Sequence, residues 1–187
     1  MDVFGKRIFT FRSLLSASYG LIKSLPGVLW VYLMRGLPSS FAERILLVVS
    51  GVNACSYCCW FHAQMAERSG LDTDEVDQLL QQLIPQASAQ NETPALMFAL
   101  HYADSHASPE PSQLALLRSH YSPVQVYGIR SLCAAIYFGN LSGNTFDAFL
   151  QRFRGNPVAG SHWFVELLLF LICAPFLLPI MHRVAKR

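Results

Sequence analysis

Three cysteines and a histidine stand close together in the stretch Asn53-Ala54-Cys55-Ser56-Tyr57-Cys58-Cys59-Trp60-Phe61-His62. If this stretch is a helix that begins near Asn53, Cys58 and His62 stand at positions i and i+4, so the thiol and the imidazole share one face. Cys55 lies one turn before Cys58, close enough for a Cys-x-x-Cys disulfide, and both fall in the first turns, where the helix dipole favours a thiolate. The stretch therefore indicates redox chemistry of thiols.

A carboxylate precedes the cysteines in the chain. Glu43 lies in the largely apolar run from Phe41 to Val49, where a carboxylate is costly to bury unless it has a partner. An imidazole works best as a base when a third group fixes its orientation or passes its proton onward. We therefore expect Glu43 to support His62.

These four residues predict a complete catalytic cycle. His62 takes the proton of Cys58, and Cys58 attacks a peroxide oxygen and becomes a sulfenic acid. Cys55 then condenses with it to form a disulfide, and an external dithiol restores the pair. The cycle requires no bound cofactor and no metal ion.

Other interpretations of the same residues stay open. Cys59 is also a helical neighbour of Cys55. The spacing to His62 nevertheless favours Cys58 as the reactive thiol. A zinc site built on Cys55, Cys58 and His62 would need a fourth ligand from elsewhere. Haem attachment requires a histidine directly after the second cysteine, where Cys59 stands, so that motif is excluded. The cysteines also fit simple core packing, which is how we interpret the isolated Cys133 and Cys173.

The composition narrows the class of protein. At 187 residues, the chain is long enough for one domain with a core. Hydrophobic residues make up 52% and charged residues 14%, which predicts a soluble domain with a membrane segment. The net charge of +2 argues against nucleic acid as a partner. Five cysteines, three of them clustered at Cys55, Cys58 and Cys59, argue against a disulfide framework and favour reduced surroundings.

Helical signals run along the whole chain and strand signals are weak, which predicts an all-α fold. The caps and breaks predict two short helices within residues 4–34, a helix from Ser39 or Ser40 to Gly51, and a helix capped by Asn53 that ends at Gly70. Later we expect a loop at 85–93, a helix at 124–138, a turn at 140–144 and a last domain helix at 145–153.

The apolar segments predict three regions. Residues 1–38 form a basic and apolar helical extension that lies on a membrane, on a neighbouring subunit or in the core. Residues 39–157 form the catalytic domain. Residues 158–187 include the stretch from Trp163 to Met181, which is apolar except for Glu166 and is close to the length that spans a bilayer. We expect this stretch to be a membrane anchor, with the catalytic domain in the cytoplasm; a buried terminal helix at a subunit contact is the alternative.

Several of these residues together resemble a known family. Glu43, the motif Cys55-Ser56-Tyr57-Cys58, His62, and then Ala66 and Gly70 resemble the alkylhydroperoxidase D-like members of the carboxymuconolactone decarboxylase superfamily. The stretch from Ala134 to Leu150 is similar to a second helical region of that superfamily, through Asn140, Asn144, Phe146 and Asp147. The resemblance covers about residues 39–153, and Tyr57 stands where some members carry a second histidine.

The resemblance implies an all-α fold, assembly as a homo-oligomer and a peroxiredoxin-type peroxidase activity on a small hydroperoxide. It implies that Cys58 is the peroxidatic thiol, that Cys55 is its disulfide partner and that Glu43 and His62 relay protons. The electron donor would be a dithiol such as a dihydrolipoyl protein. Two other functions stay open: an acid–base decarboxylase or hydrolase that uses Glu43 and His62, and a membrane-anchored module without catalytic activity.

Overall fold

The computed structural model describes residues 4–84 and 91–184, and all regular structure in these ranges is helical. The predicted all-α fold, with an additional apolar helix after the domain, is confirmed. The loop predicted at 85–93 lies mostly outside the described residues. The helices are α1 (Phe11–Leu33), α2 (Ser39–Asn53), α3 (Ser56–Arg68), α4 (Thr73–Leu80), α5 (Thr93–Asp104), α6 (Pro111–His120), α7 (Pro123–Phe153), α8 (Trp163–Leu177) and α9 (Met181–Val184), with a 3₁₀ turn at Leu178–Ile180 between the last two.

The core is built around α2 and α7. Helix α2 contacts α3, α4, α5 and α7, and its residues 45–50 are all buried. A helix that is apolar on almost every side is stable only when neighbours surround it, which explains why α2 occupies the centre. It begins at Ser39, as the sequence predicts, but its N-cap is Pro38, whose φ of −55° suits a helix start, and not a serine.

Helix α7 is continuous, so the turn predicted at 140–144 is wrong. The polar side chains of this segment are buried and hydrogen-bonded: Asn140 donates to the carbonyl of Val49, and Asn144 donates to the carbonyl of Asn53. Thr145 donates to the carbonyl of Leu141 and accepts from the backbone of Phe9. The two asparagine side chains would favour a turn if they bonded to their own backbone. Because they bond to α2 instead, the segment stays helical.

Helix α1 is also single, whereas the sequence predicts two short helices. Pro26 lies inside it without ending it. Close packing against α7 holds this segment, because a Cβ added at Gly27 would lie 2.2 Å from Ser131 Oγ. The opposite face of α1 leaves large apolar side chains exposed, among them Leu15, Ile22 and Leu29.

Helix α8 packs against α7 through one buried ion pair. Glu166, the one acid in the apolar C-terminal stretch, is 0% exposed, and Arg152 Nε lies 2.5 Å from its Oε2. Arg152 also donates to Ser161, which precedes α8. Because a buried carboxylate is stable only with a partner, this pair fixes the first turns of α8 on the domain. The helix predicted to continue to Met181 is interrupted at Leu177, where Pro179 introduces the 3₁₀ turn.

Within residues 4–84 and 91–184, two helical stretches have the length and composition to cross a membrane, Phe11–Leu33 (23 residues) and Trp163–Val184 (22 residues). Both leave most of their large apolar side chains exposed on the outer side. Their length and composition therefore permit the predicted membrane association.

Replacing Arg152 by Gln should loosen α8. The buried Glu166 carboxylate loses its charged partner, which we expect to lower the free energy of unfolding by about 3 kcal/mol, at the lower end for a broken buried pair because Arg152 is partly exposed. Limited proteolysis within residues 155–162 and urea unfolding measure the effect. The exposed neighbour Arg154 provides the control as Arg154→Gln, and equal cleavage rates in both variants would contradict this role of the pair.

Candidate active site

The candidate site begins at a sharp turn between α2 and α3. Ala54 has a φ of 51° and ψ of 37°, a left-handed conformation that ends α2 after Asn53. Cys55 follows in an extended conformation, and its Sγ accepts the backbone N–H of Cys58 as the N-cap of α3. The predicted cap at Asn53 is therefore wrong by two residues, and Cys58 lies in the first turn of α3.

Two asparagines of α7 hold this turn in place. The last carbonyls of a helix have no partner inside the helix, and Asn144 Nδ2 donates to one of them, the carbonyl of Asn53, at 2.8 Å. Asn140 Nδ2 donates to the carbonyl of Val49 at 3.2 Å, and its Oδ1 accepts the hydroxyl of Ser50. The end of α2, and with it Cys55, is thus anchored to α7 by buried amide groups.

The two predicted redox cysteines are in contact as free thiols. Cys55 Sγ lies 2.8 Å from Cys58 Sγ. Cys55 is 0% exposed, whereas Cys58 is partly exposed. Gly143 provides the room for this arrangement, because a Cβ at that position would lie 2.8 Å from Cys55 Sγ. The sulphur atoms are close enough to exchange a proton or to form a bond after a small movement.

The surroundings raise the pKa of Cys58 well above its usual value. The largest cause is the hydrogen bond to Cys55, because a proton held between two sulphur atoms is hard to remove; burial and the neighbouring cysteines add to it. Burial raises the pKa of Cys59 to about 12. Neither thiol is therefore ionised without help at neutral pH, and Cys58 requires a base before it can react.

Glu43 and His62 form a pair on the adjacent helices α2 and α3. His62 Nδ1 lies 2.8 Å from Glu43 Oε2, and Glu43 is buried. With the carboxylate as acceptor, Nδ1 carries the hydrogen and Nε2 is the nitrogen that can accept a proton. The pair therefore has the arrangement of an oriented base, although no hydrogen bond joins Cys58 to His62 within residues 4–84 and 91–184.

Cys58 and His62 line one cavity of about 600 Å³. One wall is α3, and the opposite wall includes Phe176, Leu177 and Ile180 from the C-terminal segment. The sequence predicts an anchor in this segment and gives no sign that it contributes to the site. Cys173 joins the same apolar cluster as Cys55 and Cys58, so it packs beside the thiol pair, as its apolar neighbours in the sequence predict.

A polar network that sequence analysis did not predict supports the start of α3. The Tyr57 hydroxyl donates to Asp147 Oδ1 at 2.7 Å, and Lys6 donates to Asp147 Oδ2 at 2.7 Å and to Ser56. Burial and this hydrogen bond raise the pKa of Tyr57, so the phenol stays protonated. Tyr57 thus acts here as a donor to Asp147. No sequence pattern assigns Lys6 to this site, because Lys6 lies far from α3 in the chain.

The described residues contain no group of three or more His, Cys, Asp or Glu side chains with the geometry of a metal site. The zinc arrangement of Cys55, Cys58 and His62 left open by the sequence is therefore not formed in this conformation. The four predicted site residues lie instead as two contacting pairs.

Replacing Cys55 by Ala should lower the pKa of Cys58, because it removes the largest cause of the upward shift. The fraction of Cys58 thiolate then becomes significant at a lower pH, so its alkylation by iodoacetamide should reach half-maximal rate at a lower pH than in the unmodified chain. Peptide mass spectrometry at several pH values measures this. Cys133→Ala is the control, since Cys133 does not contribute to the shift; an unchanged or higher midpoint in Cys55→Ala would contradict the assignment.

One of the three comparisons with known proteins gave a match. The search of curated proteins and the search of solved structures found none. Residues 25–105 match the model of the carboxymuconolactone decarboxylase family, which is under half of the chain and ends before α7. The matched region includes Glu43, Cys55, Cys58 and His62. The resemblance to the carboxymuconolactone decarboxylase family that these residues predict is therefore confirmed over residues 25–105.

Proposed function

We propose that this protein is a thiol peroxidase that reduces hydroperoxides through Cys58 and Cys55. The observation that carries the proposal is the 2.8 Å contact between the two Sγ atoms at the start of α3. The Glu43–His62 pair lies beside them, and His62 shares a cavity with Cys58. Many members of the matched family are enzymes, either peroxidases or decarboxylases, and the pair of contacting thiols favours the redox branch.

In the first step, Cys58 gives its proton to His62, and the thiolate attacks the terminal oxygen of the hydroperoxide. The O–O bond breaks, the alkoxide takes the proton from His62 and leaves as an alcohol, and Cys58 is left as a sulfenic acid. Glu43 stabilises the imidazolium that exists between the two proton transfers. This base is needed because the pKa of Cys58 is raised in the resting thiol pair.

In the second step, Cys55 attacks the sulfenic acid, and a disulfide and one water molecule are formed. An external dithiol then supplies two electrons and two protons to restore both thiols. Because Cys55 is buried and Cys58 is partly exposed, the dithiol attacks at Cys58 and Cys55 leaves. The dithiol donor and the homo-oligomer that the family resemblance implies stay predictions.

The peroxidase proposal is tested by treating the reduced full-length chain with one equivalent of cumene hydroperoxide, alkylating it and mapping the peptides by mass spectrometry. We expect a Cys55–Cys58 disulfide that dithiothreitol reverses, no disulfide in Cys58→Ser, and a sulfenic acid on Cys58 in Cys55→Ser. Cys59→Ser should behave like the unmodified chain, because Cys59 is not among the described residues that line the cavity shared by Cys58 and His62.

Two results would contradict the proposal. If all five thiols stay alkylatable after peroxide, the chain is not a thiol peroxidase. If the chain decarboxylates a lactone and Cys58→Ser keeps that activity, Glu43 and His62 perform acid–base chemistry and the thiols are incidental.

We also propose that the outer face of α8 binds a membrane. Its exposed side chains are large and apolar, including Phe164, Leu171 and Ile172, and its first turns are fixed on α7 through Glu166. Because the Glu166–Arg152 pair holds the first turns of α8 along the domain, we expect its apolar outer face to enter the membrane surface without the helix crossing the bilayer.

Flotation of the full-length chain with phospholipid vesicles tests membrane binding. We expect the chain to float, and the double change Leu171→Lys and Ile172→Lys to reduce the floated fraction severalfold, because two charges must enter the apolar layer. The matched control is Leu116→Lys on α6, which replaces an exposed leucine elsewhere. Membrane binding by α8 is refuted if the unmodified chain stays in the dense fraction or if the double variant floats equally well.

A further inference from the structure

The cavity that holds Cys58 and His62 is apolar along most of its surface. Its walls include Trp60, Phe61 and Met65 from α3, Ile136 from α7, and Phe176 and Ile180 from the C-terminal segment. A volume of about 600 Å³ is large compared with hydrogen peroxide and falls within the range of organic ligand sites. The cavity therefore suits a hydroperoxide with a substantial hydrocarbon part.

Two arginines interrupt the apolar lining. Arg68 lies at the end of α3 and Arg183 lies in α9, and both line the cavity. No ion pair or hydrogen bond from either guanidinium occurs in the described part of the chain. This distinguishes them from Arg44 and Arg152, whose guanidinium groups are paired with carboxylates.

The charged side chains of the cavity wall are accordingly all basic. No Asp or Glu is among its described lining residues, so two positive charges face an apolar space with no negative charge in the wall. Arginine binds carboxylates through two parallel N–H···O bonds. An anionic group on the ligand would supply the partner that the wall lacks.

We infer that the substrate is a hydroperoxide with a long apolar chain and a carboxylate, of the kind formed when unsaturated fatty acids are oxidised, and that Arg68 and Arg183 bind its carboxylate. This inference rests on the proposed peroxidase function. It adds a specificity determinant: the apolar walls bind the chain, Cys58 reduces the hydroperoxide to the alcohol, and the carboxylate passes through the reaction unchanged.

The geometry of α3 sets a length for this substrate. Cys58 and Arg68 are ten residues apart on one helix, which corresponds to about 15 Å at 1.5 Å per residue. Cys58, Phe61, Met65 and Arg68 follow the three- and four-residue spacing of one helix face. An acyl chain lying along this face places its carboxylate at one end and its hydroperoxide carbon near the thiol.

The test compares three hydroperoxides below their micelle concentration: 13-hydroperoxyoctadecadienoic acid, its methyl ester and cumene hydroperoxide. Reduction by the full-length chain is followed with dithiothreitol as donor. We expect kcat/KM for the acid to exceed that for the ester by about tenfold, the effect of one charge-assisted contact. Arg183→Gln and Arg68→Gln should each raise KM for the acid, and the double variant should remove the preference while leaving KM for the ester unchanged.

The control is Arg118→Gln, which removes from α6 a charge that is also exposed and lies away from the cavity. Equal kcat/KM for acid and ester would overturn the inference while the peroxidase function stands. A loss of acid and ester reduction to the same extent in the arginine variants would also overturn it, because the arginines would then act on folding or on the thiols. If none of the three hydroperoxides oxidises Cys58, the proposed function fails and the substrate assignment fails with it.

Discussion

The hydrogen bond from the Asn144 amide to the carbonyl of Asn53 is the contact on which the site geometry depends. It satisfies a carbonyl at the end of α2 that no residue of α2 can reach. It therefore fixes where α2 stops, and the left-handed Ala54 and the cap Cys55 follow directly. If α2 continued by one turn, Cys55 would lie inside a helix and could not accept the backbone N–H of Cys58.

The chain has few charged side chains, and each buried acid in the described residues contacts a basic side chain. Glu43 contacts His62, Glu75 contacts Arg44 and Glu166 contacts Arg152. The pairs with arginine join a carboxylate to a permanent cation, so they hold helices together at any physiological pH. The pair with histidine is different, because a neutral imidazole has a nitrogen that can accept a proton and a guanidinium has none. This difference separates the structural pairs from the pair that we propose to be catalytic.

Part of the site was predictable because local rules determine it. Cys55, Cys58 and His62 lie within one helix and its cap, so their spacing alone predicts that they are close. Glu43 was predictable for another reason: a carboxylate in an apolar run requires a partner. The same argument applied to Glu166 would have predicted an ion pair for α8, but it does not identify Arg152, because no periodicity connects separate helices.

The remaining features of the fold and the candidate site were not predictable from local sequence, because they depend on contacts between distant segments. Asn140 and Asn144 favour a turn on their own, and only their bonds to α2 make the helical conformation of this segment favourable. Lys6 reaches Ser56 across 50 residues of chain. The C-terminal wall of the cavity, with Phe176 and Ile180, lies more than a hundred residues after Cys58. The family match, which ends at residue 105, also contains no information on that wall.

The position of the cavity wall has a consequence for the order in which the site is formed during synthesis. Cys55, Cys58 and His62 leave the ribosome more than a hundred residues before Phe176 and Ile180, which close the cavity from the other side. Until then, the thiol pair lies at an apolar surface that is open to water and to other thiols. The nascent chain therefore has an interval in which these cysteines lack that wall, and the interval ends when the last helices pack against α3 and α7.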